Sequence, residues 1–458
     1  MASSAVFDEI ARYYAFCIPP GSRVLDLGCG SGELLAHMKP AAGIGLDIDG
    51  RKVRRAVEQH GADGRLRFLE ADIEQFDYRR LQPFDYIILA DILPLVQDIQ
   101  QLLINLRPVC TPATRLVISY RSNLWRPATA LANLFRPQRR TFPVNWLSTH
   151  DIRNLLFLSG FDGVTRAGRT LMPLKIPGVT ALFNRVLAKL PFIQQLCLNW
   201  LVVARPVFPA EEPRAEPDAT VSVVIPTRNE RGNIEAIFRR TPRMGRWTEL
   251  IFVDGRSTDG TVAEIERCMQ SYASRWERVL LLHQNGTGKG DAVRQGFSRC
   301  RGDILMILDS DLTMPPEALP KYYRALTGRK ADLVNGCRLV YPMQDKAMRF
   351  LNMLANHLFA HLFSWLIGQQ IKDTLCGTKV LWRRDYEKIA ANRHYFGDFD
   401  PFGDFDLLLG ASKLNCKIID LPVRYRQRTY GDIKIHRWRH GWQLMRMLVV
   451  AFVKLKLS

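Results

Sequence analysis

The feature that most constrains the fold is a strand, loop and helix pattern that repeats four times between residues 221 and 311. Apolar runs of strand length occur at 221–225, 249–253, 280–282 and 304–308, and polar or glycine-containing loops follow them. Four such units in about 90 residues indicate a parallel sheet in an α/β domain. Ligands of these sheets bind at the C-terminal ends of the strands, so functional side chains are expected there.

The fourth strand delivers two carboxylates, Asp309 and Asp311, just before the chain turns at Pro315 and Pro316. Carboxylates placed in this way can hold a hard divalent cation and leave its other coordination positions to a diphosphate. An isolated Asp-x-Asp after a strand is more often a solvated turn. The surrounding motifs favour the chemistry of a nucleotide-sugar donor site.

Four motifs lie at the ends of the four strands. In chain order they are Pro226-Thr227-x-Asn229-Glu230, Asp254-x-x-Ser257-x-Asp259-Gly260-Thr261, Gly288-Lys289-Gly290 and Asp309-x-Asp311. Together they resemble the family 2 glycosyltransferases with the GT-A fold. The resemblance implies that Asp309 and Asp311 bind Mg²⁺ or Mn²⁺ and that Lys289 lies near the donor diphosphate. It also implies a cradle for the base and ribose, formed by Pro226, Asn229, Glu230 and Asp254.

One departure concerns the nucleotide. The family often has two adjacent acids where this chain has Asp254-Gly255. The base contact is left to Asp254 alone, so the choice between a GDP-sugar and a UDP-sugar stays open.

Motifs further along resemble the dolichyl-phosphate and polyprenyl-phosphate mannosyl- and glucosyltransferases. They are Asn335-Gly336-Cys337-Arg338, Arg349-Phe350-x-Asn352 and the run from Asp373 to Lys379. Arginine forks and lysine ammonium groups suit an acceptor phosphate. We expect six cations to serve it: Arg338, Arg349, Lys379, Arg424, Arg426 and Arg428. By the resemblance, the loop 422–435 closes over the donor phosphate and the acceptor.

A second acidic run, Gly403-Asp404-Phe405-Asp406, supplies two further candidate catalytic residues. A sugar hydroxyl acceptor would need Asp404 or Asp406 as a general base. A lipid phosphate is already anionic and needs no base, and the two acids would then position the arginines of the loop 422–435.

The net charge of +19 indicates an anionic partner. Residues 424–458 hold nine Lys or Arg and one acid, together with Trp438, Trp442 and an apolar run at 444–457. This tail and a mixed apolar helix at 351–368 suit an anionic membrane surface; a solvated basic face and a core or dimer helix are the alternatives. With no signal segment and no spanning run, we expect a cytoplasmic protein, peripheral at the inner membrane face.

The first half begins with a buried strand that runs into a glycine turn and a helix. Its glycine turn and following acidic strand ends resemble the class I S-adenosylmethionine-dependent methyltransferases, over roughly residues 6–207. The resemblance implies a seven-stranded Rossmann-like domain that binds S-adenosyl-L-methionine. It places Asp26, Gly28, Gly30 and Gly32 at the methionine end, Asp47 at the ribose, and Asp72 with Ile73 at the adenine.

The methyl acceptor stays open. The run Ala90-Asp91-Ile92-Leu93-Pro94 lacks the Asp/Asn-Pro-Pro-aromatic motif of amine-methylating nucleic-acid enzymes, which disfavours a nucleic-acid partner. An apolar and basic insert at 171–195 fits a packing helix best, with a lid or a membrane contact as alternatives.

The two halves are separated by a spacer. Residues 206–220 contain four prolines and five charges and little to bury. We therefore expect a methyltransferase-like domain at 1–207, a linker at 208–219 and a glycosyltransferase domain at 220–458. Nine scattered cysteines without Cys-x-x-Cys indicate neither zinc nor a disulfide framework.

These features predict a fused enzyme that performs metal-dependent inverting glycosyl transfer to a polyprenyl phosphate or membrane glycolipid and also methyl transfer. Three alternatives remain: glycosyl transfer to a glycan hydroxyl, a first half that binds S-adenosyl-L-methionine without catalysis, and a basic nucleic-acid-binding methyltransferase.

Overall fold

The structure, a computed structural model, describes residues 4–125, 145, 147–173, 176–208, 218–340, 350–396, 403–428, 430 and 437–457. It divides into two compact units, Met1–Phe208 with Lys456–Ser458, and Pro209–Leu455. Each unit contains its own seven-stranded sheet. Arg349 lies outside the described residues, and the side chain of Asp404 is not described.

The first unit is built on strands β1 to β7 in the order β3-β2-β1-β4-β5-β7-β6. The strands are β1 Arg23–Leu27, β2 Ala42–Asp47, β3 Leu66–Glu70, β4 Phe84–Ala90, β5 Cys110–Arg121, β6 Phe161–Gly168 and β7 Asn199–Pro206. The first five run parallel, while β7 is antiparallel to both β5 and β6.

Helices cover this sheet on both faces. They are α1 Ser4–Cys17, α2 Glu33–His37, α3 Gly50–His60, α4 Ile99–Asn105 and α5 Thr149–Leu158. Neighbouring residues of β1 show why both faces are needed: Val24 belongs to one hydrophobic core and Leu25 to another. Ser148 and Asp151 form a reciprocal capping box that starts α5.

Shorter helical turns complete the first unit. They lie at Tyr78–Arg80, Leu93–Leu95, Arg107–Val109, Asn123–Trp125, Val179–Ala181, Leu182–Val186, Leu187–Lys189 and Ile193–Leu196. Three of them, Val179–Ala181, Leu182–Val186 and Leu187–Lys189, follow one another directly, so the insert at 171–195 contains one irregular helical stretch where the sequence favoured a regular packing helix. Pro191 follows the end of this stretch, because proline cannot continue a helix from the preceding turn.

The second unit has strands β8 to β14 in the order β10-β9-β8-β11-β13-β12-β14. They are β8 Val221–Thr227, β9 Thr248–Asp254, β10 Arg278–His283, β11 Ile304–Ile307, β12 Leu333–Cys337, β13 Lys379–Trp382 and β14 Ile418–Pro422. Strand β13 is antiparallel to β11 and β12, and the other pairs are parallel.

The helices of this unit follow the strands in turn. They are α6 Arg231–Arg240, α7 Thr261–Ser271, α8 Lys289–Phe297, α9 Leu319–Thr327, α10 Phe350–Ile367, α11 Arg383–Ala391, α12 Asp404–Lys413 and α13 Arg437–Lys456, with short turns at Ala273–Arg275, Pro316–Ala318 and Arg393–Tyr395. The sheets confirm the predicted α/β class, with a seven-stranded Rossmann-like sheet in the first half. Within the described ranges, no helix has both the length and the apolar character to cross a bilayer.

Candidate active sites

The glycine turn of the first unit joins β1 to α2 through three glycines in the left-handed region: Gly28 at φ 75°, Gly30 at φ 58° and Gly32 at φ 79°. A Cβ at Gly28 would lie 2.7 Å from Cδ1 of Ile92, and one at Gly32 would lie 2.6 Å from the ring of Phe68. At Gly28 and Gly32 only glycine can adopt the positive φ without a steric clash. Without side chains at these positions, the backbone of the turn can approach a ligand closely.

Asp26 lies just before this turn and is fully buried. Within the described part of the chain, neither of its carboxylate oxygens has a hydrogen-bond partner. Burial, and then the charge of Asp47, raises the pKa of Asp26 to about 7. An orphaned buried acceptor beside a glycine turn fits a site whose partner is a cationic ligand group. The site therefore fits S-adenosyl-L-methionine, whose amino group would be held here.

Asp47, at the end of β2, braces the glycine turn. One of its carboxylate oxygens accepts a 2.9 Å bond from the Gly30 amide, and the other accepts a 2.9 Å bond from the Asp49 amide. Asp72 accepts a bond from the Glu74 amide, and Ile73 is buried in the core below. All the residues predicted to bind the cofactor thus lie at one edge of the sheet.

Asp91 is a residue of this edge that the sequence analysis did not assign. It follows β4 with φ 53°, and its amide donates to the backbone oxygen of Ser119. The Ser119 hydroxyl in turn donates to the Asp91 carboxylate over 3.1 Å. Burial raises the pKa of Asp91, opposed by the charge of Arg121. No local pattern signals this, because the strained backbone depends on the pairing of β4 with β5.

In the second unit, Asp309 and Lys289 meet at the ends of β11 and α8. The ammonium nitrogen of Lys289 lies 2.6 Å from Asp309 Oδ1. Gly377 approaches both so closely that a Cβ there would overlap the ammonium and the carboxylate. The close approach explains the glycine, which the sequence analysis quoted only as part of a motif.

Asp311 is held by a different set of partners. One of its oxygens accepts a 2.7 Å bond from the Thr313 hydroxyl, and the other accepts a 2.7 Å bond from Nη2 of Arg428. Burial acts to raise its pKa, but the Thr313 bonds and the Arg428 charge outweigh it and hold the pKa below the usual value. Arg428 also lies 3.3 Å from Oε1 of Glu230, which binds Asn233 through its other oxygen.

The nucleotide side of the site is formed by two interlocked loops. Asn229, with φ 50°, donates its amide to the Ser257 hydroxyl and accepts a 2.8 Å bond from the Thr258 amide. The buried carboxylate of Asp254 accepts from the Ser257 amide. The carbonyl of Pro226 accepts a bond from the hydroxyl of Ser310, which lies between Asp309 and Asp311 in the chain. The structure therefore brings the predicted donor residues together.

The pair Asp309 and Asp311 offers hard oxygen donors of the kind that Mg²⁺ and Mn²⁺ prefer. Among the residues that the structure describes, no three His, Cys, Asp or Glu side chains form a cluster that could hold a metal. The donor set fits a cation that takes its remaining ligands from a diphosphate. In this structure Lys289 pairs with Asp309, and Arg428 pairs with Asp311.

The predicted acceptor cations fall into two groups. Arg424 and Arg426 are exposed on the loop that carries Arg428, and the Arg426 amide donates to the Thr313 carbonyl. Arg338, by contrast, is held by Asp373 through Nε at 2.7 Å and Nη2 at 2.9 Å. Lys379 is fully buried and donates to the carbonyl of Cys376. Arg338 lies against Tyr425 of that loop but is paired with Asp373, and Lys379 is buried, so neither is exposed as Arg424 and Arg426 are.

The second acidic run is also divided. Helix α12 begins at Asp404, directly after Gly403, and a Cβ at Gly403 would lie 2.7 Å from the Cα of Gly290. The helix start therefore touches the Lys289 loop. Asp406 is paired with Arg393, whose Nε lies 2.7 Å from the carboxylate.

Helix α13 has two faces. Leu444, Met447, Leu448, Ala451 and Leu455 are buried. The opposite face exposes an apolar stripe at helical spacing: Trp442, Met445, Val449 and Val453.

Comparison with known protein families assigns both halves. The sequence model of the family described as Glycosyl transferase family 2 matches residues 222–389, and that of the Methyltransferase domain matches residues 18–152.

Two curated relatives match the second half. The undecaprenyl-phosphate 4-deoxy-4-formamido-L-arabinose transferase of Edwardsiella ictaluri (strain 93-146) is 28% identical over 218 residues, 47% of this chain and 62% of that protein. Its namesake in Klebsiella pneumoniae subsp. pneumoniae is 27% identical over 222 residues, 48% of this chain and 63% of that protein. The chain thus spans less than two thirds of the length of these relatives.

Solved structures were compared as well. The S-adenosylmethionine dependent methyltransferase from Mesorhizobium loti is 19% identical with a TM-score of 0.33, and the likeness covers 43% of this chain and 99% of that one. The family matches and the curated relatives confirm the predicted resemblances. The chain therefore combines a methyltransferase domain in its first half with a domain of glycosyltransferase family 2 in its second half.

Proposed function

We propose that the second domain transfers a sugar from a GDP- or UDP-sugar to a polyprenyl-phosphate-type acceptor, and that the first domain transfers a methyl group from S-adenosyl-L-methionine. The observation that carries the glycosyl transfer is the charged cluster at the ends of β8 and β11. There the three carboxylates of Glu230, Asp309 and Asp311 contact the cations of Lys289 and Arg428.

The reaction is a single displacement. The acceptor phosphate oxygen attacks the anomeric carbon, the bond from that carbon to the donor phosphate oxygen breaks, and the nucleoside diphosphate leaves with the electron pair. A divalent cation held by Asp309 and Asp311 would neutralise charge on that diphosphate. We expect the side chains of Lys289 and Arg428 to move away from Asp309 and Asp311 and to contact the donor phosphates.

Arg424, Arg426 and Arg428 are proposed to aim the acceptor phosphate. The loop that carries them is attached to the metal motif through the Arg426 and Thr313 backbone bond, so donor and acceptor groups share one support. Arg338 lies 5.2 Å from the ring of Tyr425 in this loop and is proposed to position it. Lys379, with no accessible surface, is given a structural role.

Of the two acids that could serve as a general base for a glycan hydroxyl, Asp406 is already paired with Arg393, which supports a lipid phosphate as the acceptor. A general base would need a carboxylate able to reach the acceptor. The exposed stripe of α13 and the positive charge of the tail support a peripheral position at the inner face of an anionic membrane.

The methyl transfer rests on the glycine turn and the orphaned Asp26 carboxylate. We propose that Asp26 holds the amino group of the cofactor, that Asp47 meets its ribose, and that Asp72 and Ile73 meet its adenine. The cofactor supplies the activated methyl group.

One experiment tests both halves. The purified chain is offered a panel of GDP- and UDP-sugars with Mn²⁺, with and without undecaprenyl phosphate, and then methyl-labelled S-adenosyl-L-methionine. We expect a lipid-linked sugar only when metal and lipid phosphate are both present, and a methyl label in the lipid extract. Sugar transfer to a free glycan but never to lipid phosphate would contradict the proposal, as would RNA binding tighter than vesicle binding at matched salt.

A further inference from the structure

The first domain contains an open apolar hollow that neither family match explains. It has a volume of about 590 Å³, and the described residues of its lining are Leu, Ile, Met, Phe and Trp side chains, among them Trp125, Met172, Phe183, Leu187 and Leu196. This volume is within the range of small-molecule binding sites. None of the described lining residues carries a polar group that would recognise a sugar, and only the indole of Trp125 carries an N–H.

The sheet register places the hollow at the same edge as the glycine turn. Strand β5 is parallel to β4, with Ser119 opposite Ala90, so both strands end at that edge. Strand β7 starts there, because Asn199 pairs with Arg121, and β6 ends there. The lining residues follow β5, follow β6 and precede β7. The hollow therefore lies on the side where a methyl acceptor must enter.

Hydrogen bonds connect the segments that form the walls of the hollow. The side chain of Asn184 accepts from the Leu171 and Met172 amides at 2.9 and 2.8 Å and donates to the Met172 carbonyl. Nε1 of Trp125 donates to the Leu196 carbonyl over 2.9 Å. These bonds join the segments after β5 and β6 to the helical segment before β7.

Exposed apolar and cationic groups flank the lining residues along the chain. Leu124 and Leu196 of the lining and Leu182, next to Phe183, are each more than half exposed, and such residues mark an interaction site when they cluster. Arg121 is exposed at the end of β5, next to Asp91, and Arg185 is exposed on the turn that carries Phe183. An amphipathic ligand with an anionic head group matches this distribution.

We propose that the hollow holds the hydrocarbon chain of an anionic isoprenoid lipid, with its head group toward Arg121, and that this lipid is the methyl acceptor of the first domain. The acceptor role rests on the proposed methyltransferase function, whereas lipid binding does not. In the transfer, a head-group oxygen or nitrogen attacks the methyl carbon, the carbon–sulfur bond breaks with its electrons going to sulfur, and the proton of the nucleophile is lost to water.

The test uses the full chain and a benzophenone-bearing analogue of farnesyl phosphate. After irradiation and digestion, we expect adducts in peptides covering residues 171–196. Farnesyl phosphate without the benzophenone should lower the yield of these adducts, and inorganic phosphate should not. Phe183→Glu should lower the labelling of these peptides at least tenfold. The matched control is Phe192→Glu, which places the same charge on a nearby ring that is 89% exposed and outside the lining.

Each result decides the proposal. Adducts confined to residues after 218, or competition by inorganic phosphate alone, would overturn it. Equal losses in Phe183→Glu and Phe192→Glu would indicate a flat membrane contact and also overturn it. If Phe183→Glu fails to bind S-adenosyl-L-methionine, the milder Leu187→Ser repeats the test. Asp311→Asn should keep the adducts while it loses sugar transfer, which separates this site from the glycosyl proposal. Adducts without a methyl label in the lipid would overturn the acceptor role.

Discussion

At the scale of single residues, the two domains treat buried carboxylates in opposite ways. Asp26 has no hydrogen-bond partner among the described residues, and its pKa is raised to about 7. Asp311 has a hydroxyl, an amide and a guanidinium around it, and its pKa is lowered. A carboxylate without partners favours its neutral form, whereas a carboxylate with partners stays ionised. Asp26 therefore needs a ligand to stabilise its negative charge, whereas Asp311 is stabilised by its neighbours in the chain.

The unpaired Asp26 makes stability depend on pH. Its folded pKa of about 7 lies above the ordinary value of 3.8, so ionisation costs the folded state more than the unfolded state. The free energy of unfolding should fall between about pH 4 and pH 7 and then level off. Asp26→Asn should exceed the parent by about 1 kcal/mol at pH 4.5 and by about 4 kcal/mol at pH 8. Urea unfolding at both pH values measures this, and an equal difference at both would contradict it.

The partnered Asp311 makes a different prediction. Asp311→Asn removes the charge that faces Arg428 and should lower sugar transfer about 100-fold or more, with methyl transfer unchanged. The control Glu317→Gln alters a carboxylate that follows the same strand but pairs with Arg240 on the surface, and it should stay within about twofold of the parent. Comparable rates for the two variants in a lipid-product assay would exclude Asp311 from catalysis.

At the scale of elements, the segment after β14 is attached to the donor site at several points. Arg426 binds the Thr313 carbonyl, and Arg428 binds Asp311 and Glu230. Tyr430 contacts α6, where a Cβ on Gly232 would lie 2.6 Å from its ring. Sequence motifs identified the strand ends but not these attachments, because they join residues more than 100 positions apart. The Arg338 and Asp373 pair was not predicted either, because it joins two separate motifs that are 35 positions apart.

Gly232 tests whether this docking matters. Gly232→Ala should favour the helical conformation of α6 by about 1 kcal/mol, so the melting temperature should not fall. The added methyl group should push Tyr430 away and lower sugar transfer severalfold. Tyr430→Ala in the same chain should remove the clash, so the double variant should match Tyr430→Ala alone. If the two losses simply multiply, the contact between Gly232 and Tyr430 does not control activity.

The exposed stripe of α13 predicts membrane binding. Val449→Glu places a charge at the centre of the stripe and should lower the affinity for anionic vesicles about tenfold. Phe157→Glu changes an apolar residue that is 78% exposed on α5 and serves as the control. Vesicle sedimentation measures both variants. If the tail is instead a solvated basic face, salt should lower its affinity for anionic vesicles and Val449→Glu should not.

At the scale of the whole molecule, the chain consists of two units with separate sheets and separate cores. The α/β class and the strand positions could be predicted, because apolar runs and glycine turns are local signals. The irregular helix of the insert at 171–195 could not, since the Asn184 side chain binds the backbone of Leu171 and Met172, 12 and 13 positions earlier. The positive φ of Asp91 escaped prediction for the same reason.

Separate cores predict separable activities. Gly30→Val should abolish binding of S-adenosyl-L-methionine, because a β-branched residue is strained at φ 58°, while sugar transfer stays within about twofold of the parent. Isothermal titration and the lipid-product assay measure the two effects on one preparation. Loss of both activities would show that the domains depend on each other.

The contacts of Lys289 and Arg428 have one more consequence. The resting cluster already balances most of its own negative charge, with three acids against two bases. A nucleotide-sugar that draws these bases to its phosphates exposes the aspartates at the moment when they are needed. Because Arg428 belongs to the segment that also presents Arg424 and Arg426, we expect binding of the proposed donor to move the groups proposed to receive the lipid, so that the nucleotide-sugar binds before the lipid.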